Sequence, residues 1–158
     1  NSAQIIISHV TEGIKMAEKA SLPKVIIDFI RTHHGTGKTK YFYNSFRNTF
    51  PDMPVDEKLF TYPGPNPFTK ETAVLMMADS VEAASRSLSD YTDETIKALI
   101  DKIIDSQIAD GLLKNTPLTF HDIEVVKSTF VEKLKTMYHT RISYPDLVTN
   151  ERKEHPVQ

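Results

Sequence analysis

Apolar residues in this chain recur at three- and four-residue intervals, and no stretch alternates convincingly with a period of two. Side chains return to the same face about every 3.6 residues on a helix and about every two on a strand, so the pattern commits the chain to helices. "SAQIIISHVTEGIKMAEKA" puts Ile6, Val10, Gly13 and Ala17 on one face, which predicts a helix from about Ser2 to Ala20. In "SLPKVIIDFIRTHHG", Ser21 lies two residues before Pro23 and favours a helix start, while Gly35 favours its end. The second helix is therefore expected to carry His33 and His34 in its last turn.

A short aromatic helix is expected over Lys38 to Thr49, followed by an ordered loop from Phe50 to Phe68 that holds five of the nine prolines. "TKETAVLMMADSVEAASRSL" predicts a third long helix whose apolar middle is interrupted by Asp79. "TDETIKALIDKIIDSQIADGLL" predicts a fourth through Ile96, Leu99, Ile103 and Ile104, ending near Gly111. The last, about Phe120 to Arg141, is expected to turn Ile123, Val126, Phe130, Leu134 and Met137 inward. The expected fold class is all-α, a bundle of about six helices, and residues 1–158 are long enough for one domain with a core.

Composition narrows the chemistry. The chain has no cysteine, which excludes a disulfide scaffold, a thiolate zinc site and a cysteine nucleophile, so any metal must use His, Asp or Glu. A formal charge of -2 gives no reason to expect a DNA or RNA polymer as partner. The longest apolar runs, such as "KVIIDFI" and "AVLMMA", fall well short of the roughly 18 residues a membrane helix needs, so the segment itself is expected to be soluble. It opens at Asn1 and enters helical periodicity almost at once, which suggests a piece of a longer protein.

Two motifs mislead. "GTGKT" invites a phosphate-loop reading, but the position five residues before its Gly-Lys-Thr is Thr32, and a helix precedes it where that motif needs a strand. Gly37, Lys38 and Thr39 read better as a loop leading into the next helix. His121-Asp122 is a metal-site dipeptide elsewhere, but Thr119 stands three residues before Asp122 at a helix start, and capping explains the pair.

The remaining metal candidates are His9, His33, His34 and Asp79. Each has a plainer reading: His9 as a satisfied core histidine, His33 and His34 as complements to a helix end, Asp79 as the partner of a buried base. Two considerations favour a metal. Neighbouring helical residues point about 100° apart, so adjacent histidines converge only where the helix stops, and Gly35 marks such a place. An unpaired Asp79 carboxylate among Leu75, Met76, Met77 and Ala83 would be costly, and a cation would relieve that cost.

The segments "ISHV", "HHGT", "YPGP" and "ADSVEAASRSL" resemble the intracellular HD hydrolase domain of the bacterial seven-transmembrane receptors, a family of cyclic di-AMP phosphodiesterases. The likeness runs from Ser2 to about Leu88, and "RISYP" near the C-terminus also fits. The resemblance implies an HD-type helical bundle, a cyclic dinucleotide as partner, and a centre of two divalent transition metals, iron or manganese. It implies that His9, His33 and His34 serve one metal and Asp79 the other. The family's first metal-binding histidine and its His-Asp dyad precede the "ISHV" helix, so this chain is expected to lack them and to be impaired or inactive alone, with uncovered apolar surface favouring self-association. No residue present is expected to be the catalytic group itself.

In the longer protein the resemblance implies hydrolysis of cyclic di-AMP to 5′-pApA at the cytoplasmic face of a bacterial membrane, with the membrane anchor upstream. A cyclic-dinucleotide-binding signalling module without hydrolysis is the alternative. Lys38, Lys40 and Arg86 are candidate phosphate contacts, although Arg86 lies four residues after Glu82 and also fits a helical ion pair. Tyr41 and Tyr43 offer rings for stacking on adenine, but also fit a core.

Overall fold

The computed structural model describes residues 2–139, and the "RISYP" likeness and the end of the last expected helix at Arg141 lie outside them. The architecture is all-α, as the periodicity requires: α1 Ser2–Lys19, α2 Lys24–Thr32, α3 Lys40–Thr49, a 3-10 turn Glu57–Phe60, α4 Lys70–Ser85, α5 Asp93–Ala109 and α6 Phe120–His139. Among the described residues the extended pairing amounts to one isolated bridge, Lys38 to Thr61.

Helices α4, α5 and α6 form the frame. Ile96, Ile100 and Ile104 of α5 are fully buried against Met76, Met77 and Val81 of α4 and Ile123 and Leu134 of α6. The buried line on α5 thus runs through Ile96, Ile100, Ile104 and Gln107 rather than through the expected Leu99 and Ile103, which are only partly covered. Both lines keep helical spacing, and only the placement of α4 and α6 selects between them. Met137, expected inward, is 43% exposed, while its neighbour Tyr138 is the residue that turns toward Ser85 and Tyr91.

Ion pairs fix the directions of the frame. Lys135 pairs with Asp93, and Lys127 with Asp101 and Asp105, so α6 runs antiparallel to α5. Lys70 pairs with Asp122 at one end and Ser85 meets the Tyr138 hydroxyl at the other, so α4 and α6 run parallel. The caps follow from the sequence. Thr69 and Thr72 exchange hydrogen bonds in a reciprocal box at the start of α4. At the start of α6 the Thr119 hydroxyl accepts from the Asp122 amide, while the Asp122 carboxylate accepts from Thr119 N and Oγ1. His121-Asp122 is therefore a capping element, as its spacing suggests.

Helices α1 and α2 form a hairpin beside this frame. Ser21 does not start α2, as expected; it ends α1. Leu22 N donates to Ala17 O at 3.0 Å across a Ser21 whose φ is 54°, the left-handed turn that usually falls to glycine. The residue capping α2 is Pro23, with no side-chain hydrogen bond. On α1 the buried face is Ala3, Val10 and Ala17; Ile6, expected among them, is 41% exposed.

Two stability effects are expected. Ser21→Gly should raise the stability to denaturant by about 0.5–1 kcal/mol, because glycine adopts the left-handed conformation without a Cβ penalty; equal midpoints would show that Ser21 bears no strain. The three Thr119 and Lys70 contacts hold Asp122 down to about 2, with the Thr119 backbone bond the largest cause. A depressed carboxylate stabilises the fold above its unfolded value and loses that contribution as pH falls through its folded one. Asp122→Asn should therefore lower the urea midpoint at pH 7, the difference from wild type shrinking from about pH 4 and vanishing near pH 2.

Candidate metal centre

The site forms where α1 and the end of α2 face each other. Gly13 on α1 lies so close to α2 that an added Cβ would sit 3.1 Å from Ile30 Cγ2. The hairpin is antiparallel, so one turn back from Gly13 and one turn on from Ile30 meet again: these positions are His9 and His33. Their rings stand 5.2 Å apart, and that of His34 stands 5.1 Å from His9 and 4.0 Å from His33.

Backbone carbonyls fix the histidine tautomers. His33 Nδ1 donates to Ile30 O at 2.6 Å, using a carbonyl that the end of α2 leaves without a helical partner, and His9 Nδ1 donates to Ile6 O. Each ring then presents a bare Nε2 lone pair, and the two Nε2 atoms face each other at 3.1 Å. Two lone pairs so placed repel unless an electrophile lies between or beside them. One nitrogen from each of His9, His33 and His34 lies within 4.8 Å of the other two.

The histidines do not occupy the last turn of α2, as expected, but the turn beyond it. Thr32 is the last helical residue, His33 keeps helical angles as the cap, and Gly35 reverses the chain at φ 52°. Gly35 N donates to Thr32 O and Gly37 N to His34 O, both at 2.9 Å. That departure from helical geometry lets two adjacent side chains converge.

His34 stacks on Tyr62, with ring centroids 4.2 Å apart and planes 21° apart. Burial first, then the neighbouring His33 and His9, pushes the His34 imidazole down to about 3. It is neutral near pH 7, the state a metal ligand requires. Its Nδ1 lies 3.8 Å from Asp79 Oδ2. That distance exceeds a hydrogen bond and the ring is uncharged, so the two are neighbours rather than an ion pair. Asp79 does not bear the expected burial cost: its side chain is 43% exposed, and Leu75 beside it is 39% exposed, so solvation relieves the carboxylate. Asp79 is close to the triad but outside the converging set.

Tyr62 and Asn66 are contributors that residue-by-residue reading missed, although both fall in or beside the quoted "YPGP". The Tyr62 hydroxyl is held above its ordinary pKa by burial first and by Asp79 second, which keeps it a neutral phenol. Asn66 Oδ1 accepts from Thr36 N at 2.8 Å and from Thr36 Oγ1 at 3.1 Å, pinning the turn after the histidines.

His33 and His34 open on a cavity of about 560 Å3, a size suited to a small-molecule ligand. Lys38, Lys40 and Tyr41 line it, and Tyr41 is 78% exposed rather than core. The expected phosphate contacts are engaged in ion pairs within the chain: Lys38 with Glu57 at 2.6 Å, Lys40 with Asp110 at 2.8 Å, and Arg86 with both carboxylate oxygens of Glu82. Arg86 is not part of the cavity wall. Lys38 also pairs its backbone with Thr61, and Thr39 precedes α3, so "GTGKT" is the loop that its spacing suggests.

Known proteins show the same arrangement of helices. The crystal structure of the Listeria monocytogenes phosphodiesterase PgpH HD domain in complex with cyclic-di-AMP matches with a TM-score of 0.81 and 38% identity, over 87% of this chain and 63% of that one. This chain is a homologue of the PgpH HD domain. A second crystal structure of the PgpH HD domain from that organism matches with a TM-score of 0.80. In sequence, the cyclic-di-AMP phosphodiesterases PgpH of Bacillus subtilis and L. monocytogenes are 39% and 40% identical over 145 residues, which is 92% of this chain. The chain spans 20% of the length of each of these PgpH relatives. No family model matches.

Within this PgpH-type fold, Gly35 is the residue on which the paired histidines depend most directly. A Cβ there would lie 2.4 Å from Asn66 Oδ1 and 2.8 Å from Met76 Cε, at a φ that L side chains avoid. Gly35→Ala should cost about 2 kcal/mol of stability and weaken Mn2+ binding at least about tenfold. Calorimetric titration with Mn2+ beside a urea melt checks both, and unchanged values would show that the turn does not position the histidines.

Proposed function

We propose that this domain forms part of a divalent-metal phosphodiesterase centre that hydrolyses cyclic di-AMP to 5′-pApA in the longer protein. The observation that carries the reading is the approach of the His9 and His33 Nε2 atoms to 3.1 Å, with each ring's Nδ1 held by a backbone carbonyl. Residues that hold imidazoles in a repulsive arrangement fit a bound cation, and nitrogen and carboxylate donors without thiolate suit iron or manganese. In this reading His9, His33 and His34 hold one ion, and Asp79, beside His34, serves the second.

What two such ions supply when bound is neutralisation of phosphoryl charge and activation of water. The chain's own residues do the rest. Carbonyl bonds keep the His9 and His33 rings in one tautomer, Tyr62 covers His34 against solvent, and Lys38 and Lys40 make the cavity rim attractive to a phosphodiester once their carboxylate partners release them. The cyclic-di-AMP bound to the PgpH HD domain, at 38% identity, supports the substrate assignment. Among the described residues no helix is long and apolar enough to cross a membrane. The motif resemblance to receptor-borne domains supports a place at the cytoplasmic face of a bacterial membrane, anchored by another part of the longer protein. Exposed Ile5, Met16 and Val25 on α1 and α2 support self-association of the chain alone.

Metal analysis and a cyclic di-AMP hydrolysis assay test the reading, using this chain and a protein extended upstream through a His-Asp dyad. The extended protein should hold about two metals and turn over, and His9→Ala or His33→Ala should lower turnover about a hundredfold or more. Absence of turnover with iron or manganese would sink the hydrolase reading. Tight binding without turnover would favour the signalling module instead, a reading consistent with the lack of a carboxylate among the converging atoms.

A further inference from the structure

The cavity is lined along one side by a stripe of α5, Lys102, Ile103, Ser106 and Gln107, with Asp110 capping the helix. Its floor is α4 from Met76 through Ser80 to Ala83 and Ala84. The two helices are joined by a short link and run antiparallel, and Gln107 Nε2 donates to Ser80 Oγ at 2.9 Å, which sets their register. Ser80 follows Asp79, the neighbour of His34, so Gln107 marks the level of the histidine centre. Lys102 is five residues nearer the start of α5, displaced along the axis by about 7.5 Å at about 1.5 Å per residue. That displacement leads toward Ala83 and Ala84, away from Met76 and the Gly35 turn.

Three lysines line the cavity, and two of them are neutralised by the carboxylates of Glu57 and Asp110. Lys102 has no carboxylate partner among the described residues and is exposed. A cation held unpaired over a cavity is available to an anion, whereas its neighbours must first give up a partner.

We propose that Lys102 is a positioning residue that binds the phosphodiester of the cyclic dinucleotide that is not being cleaved. The inference rests on the proposed function. A cyclic dinucleotide carries two phosphodiesters on opposite sides of one closed sugar–phosphate ring, so with one at the histidine centre the other must lie along the cavity. Lys102 stands in that direction with a free charge.

Kinetics of cyclic di-AMP hydrolysis by the upstream-extended protein test it. Lys102→Ala should raise KM about tenfold and leave kcat within about twofold, since a contact equally strong in the ground and transition states changes binding alone. Lys102→Arg should restore KM to within about threefold, and Lys133→Ala, removing an exposed charge of α6 outside the cavity, should change neither constant. A parallel fall in kcat for Lys102→Ala would place the lysine at the scissile phosphate and overturn the assignment. Wild-type turnover with unaltered Lys102→Ala kinetics would overturn this inference alone. Absence of wild-type turnover would overturn the proposed function and this inference with it.

Discussion

The close approach of α1 to α2 at Gly13 and Ile30 sets everything that follows at the site. A Cβ at Gly13 would lie 3.1 Å from Ile30 Cγ2, tighter than ordinary van der Waals contact, so the two helices approach closely at this point. In an antiparallel pair, the register there dictates which residues face each other one turn away. Here they are His9 and His33, followed by His34 in the turn that Gly35 closes. A hairpin shifted by one residue would keep the same composition and helical content while turning the imidazoles apart.

The site is also shaped by what its carbonyls and carboxylates are doing. Helix ends leave carbonyls without partners, and His33 Nδ1 takes one of them, which orients the imidazole where α2 stops. Around the cavity, Glu57 and Asp110 hold Lys38 and Lys40, keeping the cavity from being uniformly basic. Charge at the rim is therefore selective rather than general. The ion pairs of α4, α5 and α6 lie away from this region and set helix directions, and such exposed pairs contribute little to stability individually.

Much of this could be read from the residues. The 3.6-residue spacing gave six α-helices with ends within a few residues, and the Thr119–Asp122 spacing gave a cap that the hydrogen bonds reproduce. His9, His33 and His34 were candidates from their motifs and do converge. The misreadings share a cause. Ser21 was assigned to the wrong helix because left-handed backbone is invisible in a serine, and Leu99 was assigned to the core because an amphipathic helix has flanks whose burial depends on its neighbours. Tyr62 lay in a quoted motif without a role, because stacking on a residue far away in sequence leaves no local periodic signal.

The sequence by itself determined the fold class, the absence of thiolate chemistry and which imidazoles are candidates, because these follow from residue types and local spacing. Tertiary structure alone decided that His9, on another helix, meets the His33–His34 turn, that Asp79 is half-exposed beside it, and that Lys38 and Lys40 are already paired. The reason is physical: periodicity reports which side of a helix is apolar, but not which helix covers it or at what register. Distances between side chains on different helices are set by packing of the whole bundle, and local sequence does not encode them.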